Sequence, residues 1–132
     1  MRVCAAVLMM GGKFLICTRP PGGSHAGEWE FPGGKARPGE SDAECLRREM
    51  LEELDLRVTV LDKLFQTEHR LPEKLIQLHF YRCVPETPEC VPDAMEGQEF
   101  SWATPCEMAG YKFLPADREF VAFLGNYLKD GQ

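Results

Sequence analysis

Val3–Met10 and Lys13–Thr18 are two apolar, β-rich segments separated by Gly11-Gly12, a pattern that predicts a hairpin. Arg19–Gly27 is rich in proline and glycine and reads as a loop. Glu28-Trp29-Glu30-Phe31 alternates polar and aromatic residues, as a short strand does, until Pro32-Gly33-Gly34 breaks it. At Ser41 the period changes. Ala43, Leu46, Met50 and Leu54 recur at three- and four-residue intervals, which predicts a helix over Ser41–Leu54 with one apolar stripe. Ser41 is a good N-cap, and Glu44 three residues later completes a capping box. Asp42 and Glu44 also suit the positive end of the helix dipole.

Leu56–Thr67 and Leu75–Val84 read as strands around a turn near Leu71-Pro72, and the prolines of Pro85–Pro92 make a loop. Glu99–Ala103 is a last strand, followed by a short helical turn near Cys106–Ala109. Ala116–Lys129 is an amphipathic helix with Phe120, Phe123, Leu124, Tyr127 and Leu128 on its apolar side. Strands interrupted by two helices predict an α/β fold, a mixed sheet between helices in an α/β/α layering. The 132 residues suit a single domain, 1–132, with its own buried core.

Composition removes several classes. Hydrophobic residues at 44% and charged residues at 27% match an ordinary globular chain, not a disordered or collagen-like one. The longest apolar runs, such as Cys4–Met10, are too short to span a bilayer. The N-terminus enters a strand directly, without the cleavage site of a signal peptide, so a cytoplasmic protein with no membrane partner is expected. Cys4, Cys17, Cys45, Cys83, Cys90 and Cys106 include no Cys-x-x-Cys pair, and His25, His69 and His79 are scattered. Reduced thiols and no zinc site are the expectation. The formal net charge of −6 lacks the basic footprint that duplex nucleic acid needs. An anionic substrate would require a cation between it and the protein.

The predicted helix supplies a place for one. Glu49, Glu52 and Glu53 are spaced i, i+3 and i+4, so they share about 100° of arc beside the apolar stripe. On its own this reads as a solvated acidic face with Arg48 as countercharge. The segment in front changes that reading. Gly33-Gly34 follows a strand directly and Gly39-Glu40 leads into the helix cap. Glycines let backbone groups approach an ion or phosphate closely.

Gly34, five residues, Glu40, seven residues, then Arg48-Glu49-Met50-Leu51-Glu52-Glu53 resembles the Nudix hydrolase signature. Every fixed position through Leu56 matches except Asp55, which stands where the family has a glycine that ends the helix in a left-handed conformation. Aspartate tolerates that conformation at a cost of about 1 kcal/mol or less. Trp29-Glu30-Phe31-Pro32-Gly33-Gly34-Lys35, Glu96 six residues before Trp102, and Leu114-Pro115-Ala116-Asp117 are similar to the MutT-type and CTP-pyrophosphohydrolase-type subgroup.

The resemblance implies a nucleoside triphosphate pyrophosphohydrolase that releases a nucleoside monophosphate and pyrophosphate. Its magnesium, with manganese able to substitute, would be held by Glu49, Glu52, Glu53 and the backbone carbonyl of Gly33. Glu96 would join as a further ligand or as general base, with Arg48 orienting the glutamates and Glu40 in a supporting role. Arg19, Gly34 and Lys35 are candidates for the phosphates, His25 for a substrate loop, and Phe31 for flanking the base, although its default place is the core. Asp117 either reads the base or caps the last helix. The implied task is clearing oxidised or modified nucleotides such as 8-oxo-dGTP. CTP or 5-methyl-dCTP, another nucleoside diphosphate derivative, and a nucleotide-sensing module without turnover are the alternatives. Either a monomer or a homodimer is compatible.

Overall fold

A computed structural model of the chain describes residues 1–130, with side chains described through residue 126. The elements are β1 (Arg2–Met10), β2 (Lys13–Thr18), β3 (Trp29–Glu30), β4 (Gly33–Lys35), α1 (Asp42–Leu54), β5 (Val58–Leu71), β6 (Lys74–Pro85), β7 (Phe100–Ala103) and α2 (Pro115–Asp130). A 3₁₀ turn, Glu107–Gly110, precedes α2. The expected layering is present, and the expected boundaries shift by one to four residues. Tyr127 and Leu128, expected on the apolar side of the last helix, lie outside the described side chains.

β1 joins the two halves of a mixed sheet. It runs parallel to β6 from Arg2↔Gln77 to Leu8↔Cys83, and antiparallel to β4 from Val3↔Lys35 to Ala5↔Gly33. Its far end turns through Gly11-Gly12 into β2, which pairs antiparallel with β3 and β7. β5 and β6 form a long hairpin closed at Leu71↔Lys74, so Pro72-Glu73 is the turn. That hairpin places β5 on the outer edge of the sheet.

One expectation needs correcting. Pro32-Gly33-Gly34 does not end the extended chain, because Gly33–Lys35 pairs with β1. Glycine carries no strand-forming side chain, so the sequence signal is weak there. At Gly33 the pairing depends on that absence, because a β-carbon would strike the Cys4 carbonyl oxygen, whereas one on Gly34 would displace the Glu49 carboxylate.

Strand alternation builds two cores from β1. Cys4, Ala6 and Leu8 face α1, packing with Leu15, Cys45, Leu46, Met50 and Leu54. Ala5 and Val7 face α2, packing with Phe31, Phe80, Phe113, Phe120 and Leu124. On α1 the buried set is Cys45, Leu46, Met50 and Leu54, with Ala43 only half-buried. All six cysteines are free thiols. No described helix is long and apolar enough to cross a membrane.

Candidate active site

The helix that carries the glutamates is fixed at both ends. The Ser41 hydroxyl accepts from the Glu44 amide at 3.1 Å, and the Glu44 carboxylate accepts from the Ser41 amide at 2.9 Å. At the other end Asp55 adopts the left-handed conformation, φ 49° and ψ 40°, in the family's glycine position. Its amide reaches Leu51 O and the Leu56 amide reaches Met50 O, so helix-end carbonyls are satisfied.

Arg48 organises the outer side of this helix. Nε and Nη2 bind both carboxylate oxygens of Glu40 at 2.7 and 2.9 Å, and Nη2 also donates to the Lys35 carbonyl at 3.1 Å. Nη1 donates to Glu49 at 2.9 Å and Glu52 at 3.1 Å. The Arg48 hydrogen bonds hold the half-buried Glu40 carboxyl down at about 2. The guanidinium thus makes a two-point fork on Glu40 and a further contact to each of Glu49 and Glu52. Glu52 is exposed and turned toward Arg48 and Arg37, the latter at 3.8 Å. Among the described residues, no three His, Cys, Asp or Glu side chains stand as a ready ligand set.

On the inner side lies a narrow polar cleft lined by Thr18, Arg19, Glu30, Gly33, Glu53, Glu96 and Gln98. Burial raises the Glu53 carboxyl pKa strongly, and a hydrogen bond with Glu49 and the charges of Glu49, Glu30 and Glu96 push the same way. Burial also raises Glu30 to about 7 against the opposing pull of Arg19, whose guanidinium is 3.6 Å from Oε2. Carboxylates this crowded cannot all stay ionised without a cation. A hard divalent cation prefers such oxygen donors. The chemistry of these oxygen donors is thus that of a divalent-metal site, with the side chains not gathered around one point in this conformation.

The structure brings Glu49, Glu53, Glu96, Gly33 and Arg19 together, and Gly34 forms the backbone against which Glu49 packs. The remaining candidates lie elsewhere. Lys35 is exposed, and its carbonyl holds Arg48. His25 sits in an exposed left-handed turn, φ 59°, with Nδ1 3.2 Å from Glu28. Phe31 is 2% exposed and its ring packs in the core between Phe113, stacked at 5.9 Å, and Phe120 at 5.0 Å. Asp117 is 4% exposed and accepts from the Phe31 amide at 2.8 Å, so its carboxylate ties α2 to the strand segment before Gly33. Burial raises its pKa to about 7.

Glu30 and Gln98 are cleft residues that the sequence reading did not single out. For Glu30 a signal existed: alternation puts it on the face opposite Phe31. Gln98 had none, because its place follows from the path of a loop.

Residues 3–123 match the NUDIX domain family. The chain is 36% identical over 115 residues to the CTP pyrophosphohydrolase of Escherichia coli, covering 87% of this chain and 84% of the relative. It is 31% identical to a putative 8-oxo-dGTP diphosphatase 2 of Mycobacterium tuberculosis, covering 96% and 89%. The solution structure of the E. coli ORF135 protein superposes with a TM-score of 0.81 at 32% identity, over 96% of this chain and 89% of that one. The chain belongs to the Nudix family of hydrolases, which act on phosphoric anhydrides and generally need a divalent metal.

Proposed function

We propose that the protein is a magnesium-dependent nucleoside triphosphate pyrophosphohydrolase that clears oxidised or modified nucleotides of the 8-oxo-dGTP class. The observation that carries this reading is the crowding of Glu53 with Glu49, Glu30 and Glu96 in a cleft that also presents Arg19. Glu49, Glu52, Glu53, Glu96 and the Gly33 carbonyl would hold the metal, with Glu52 swinging from Arg48. Bound there, it would neutralise phosphate charge and make a water more acidic. Arg19, leaving Glu30, binds a phosphate oxygen, and the exposed Lys35 side chain is a second cation that a phosphate tail extending out of the cleft could meet. Glu96 accepts the proton of the attacking water. The water oxygen bonds to the second phosphorus, the bridging P–O bond breaks, and monophosphate and pyrophosphate leave. His25, in the exposed loop between β2 and β3, would contact the nucleotide only where it extends out of the cleft.

A second substrate reading rests on Asp117. Its carboxyl, raised by burial to about 7, keeps a proton up to near neutral pH. A protonated carboxyl offers one donor and one acceptor, which matches the cytosine edge. The ionised form offers acceptors only and suits guanine. CTP or 5-methyl-dCTP is the substrate on this reading, and Phe31 flanks the base only if the wall between β3 and α2 opens.

An initial-rate panel of 8-oxo-dGTP, CTP, 5-methyl-dCTP, ADP-ribose and diadenosine polyphosphates tests both readings. Pyrophosphate release that stops in EDTA and returns with magnesium is the expected result. In ¹⁸O-labelled water, label found only in orthophosphate would contradict the assigned reaction.

A further inference from the structure

The loop between β6 and β7 is laced onto the end of the glutamate helix. The Asp93 amide donates to Leu54 O at 2.8 Å and the Met95 amide to Glu53 O at 3.1 Å. These contacts satisfy carbonyls that a helix C-terminus leaves without partners. They hold the chain only as far as Met95. Beyond it, Glu96 is exposed and Gly97 turns the backbone at φ 75°. The turn brings the next side chain back toward Glu96.

That side chain is Gln98, 6% exposed. Its Nε2 donates to Glu53 O at 3.0 Å, and its Oε1 accepts from the Glu96 amide at 2.8 Å. One carboxamide thus bonds the backbone of both residues whose carboxylates meet in the cleft. Leucine could make neither bond, and an ionised glutamate could not donate to Glu53 O. The next residue is held separately: the Glu99 amide donates to Thr18 Oγ1 at 2.9 Å, and the Thr18 amide donates to Glu99 O at 2.9 Å. Loss of the Gln98 bonds would therefore free Glu96 without releasing the loop at either side.

We propose that Gln98 is a positioning residue for hydrolysis, whose carboxamide locks the Glu96 loop to the backbone of Glu53 so that the two carboxylates act as one unit. The inference rests on Glu96 being part of the proposed machinery. A misplacement of about 1 Å at a reacting group costs up to about a hundredfold in rate. Gln98 touches no reacting atom, so its effect must pass through Glu96.

The test is a double-mutant cycle on kcat with the full-length protein and its preferred nucleotide. Gln98→Leu should lower kcat about ten- to hundredfold, with KM changed much less. In a Glu96→Gln background the same substitution should cost less than about twofold, because there is no carboxylate left to position. An equal loss in both backgrounds, or an undiminished kcat for Gln98→Leu, overturns the proposal. A fully active Glu96→Gln overturns it differently, by removing the role of Glu96 on which it rests. Should Gln98→Leu fail to fold, Gln98→Met carries the same criterion. Failure of both to fold makes Gln98 a stability residue and also overturns the proposal.

Discussion

The two faces of the sheet take alternate residues of the same strand, yet they are built for opposite purposes. Toward α2, β1 sends Ala5 and Val7 into an aromatic cluster where Phe80 and Phe120 stack at 4.3 Å. Toward α1 it sends Cys4 and Ala6 beneath a helix whose edge gathers Glu49 and Glu53. The first face is dry and gains stability from contact area. The second buries like charges, which disfavours the apo fold and favours whatever cation neutralises them. Stability and chemistry are thus separated by the thickness of one strand layer.

Substitutions on the two faces should therefore fail in different ways. The largest effect is expected from Phe120→Ala, a fully buried ring, which should destabilise the fold by about 3–5 kcal/mol while the folded protein keeps its kcat. Urea unfolding with rates measured on the folded fraction checks this. A matching collapse of kcat would show that the two faces are coupled. Glu53→Gln should do the reverse, cutting kcat at least about a hundredfold with a melting temperature unchanged or raised. A normal kcat would reduce the acidic cluster to surface charge.

The smallest effect probes the tie between the faces. Asp117 binds the Phe31 amide, and its pKa in the fold is raised from 3.8 to about 7. Between those values the folded state keeps a proton that the unfolded chain has released. Stability from this group is therefore fully present near pH 4 and declines as pH rises to about 7, with a slope of at most about 1.4 kcal/mol per pH unit. Asp117→Asn keeps an acceptor for Phe31 and has no proton to lose. Its melting temperature should match wild type near pH 4 and exceed it at pH 8. Parallel pH profiles for the two proteins would contradict this.

The separation of faces also explains what could be read in advance. Helix α1 was legible because its features are contiguous: cap, glutamates and the left-handed Asp55 all lie between Ser41 and Asp55, whereas Glu30 and Gln98 reach the cleft from distant segments. The amphipathic pattern of the last helix pointed to Phe120 and Leu124 as core. The cluster they join draws on Phe31, Phe80 and Phe113, which no local period connects. Gly33–Lys35 was hidden as a strand because its pairing with β1 depends on a missing side chain at Gly33. Phe31 and Asp117 illustrate another limit. A motif position can be recognised without showing that the ring is in the core or that the carboxylate is bonded to a backbone amide.

The central claim is that Glu49, Glu53 and their neighbours are crowded because they share a divalent cation. Titration of the purified protein with manganese, followed by the loss of the free-ion electron paramagnetic resonance signal, tests it without reference to turnover. The wild-type protein should bind manganese, and Glu53→Gln should bind it at least about tenfold more weakly. Equal affinities for the two proteins, or no binding by either, would contradict the account.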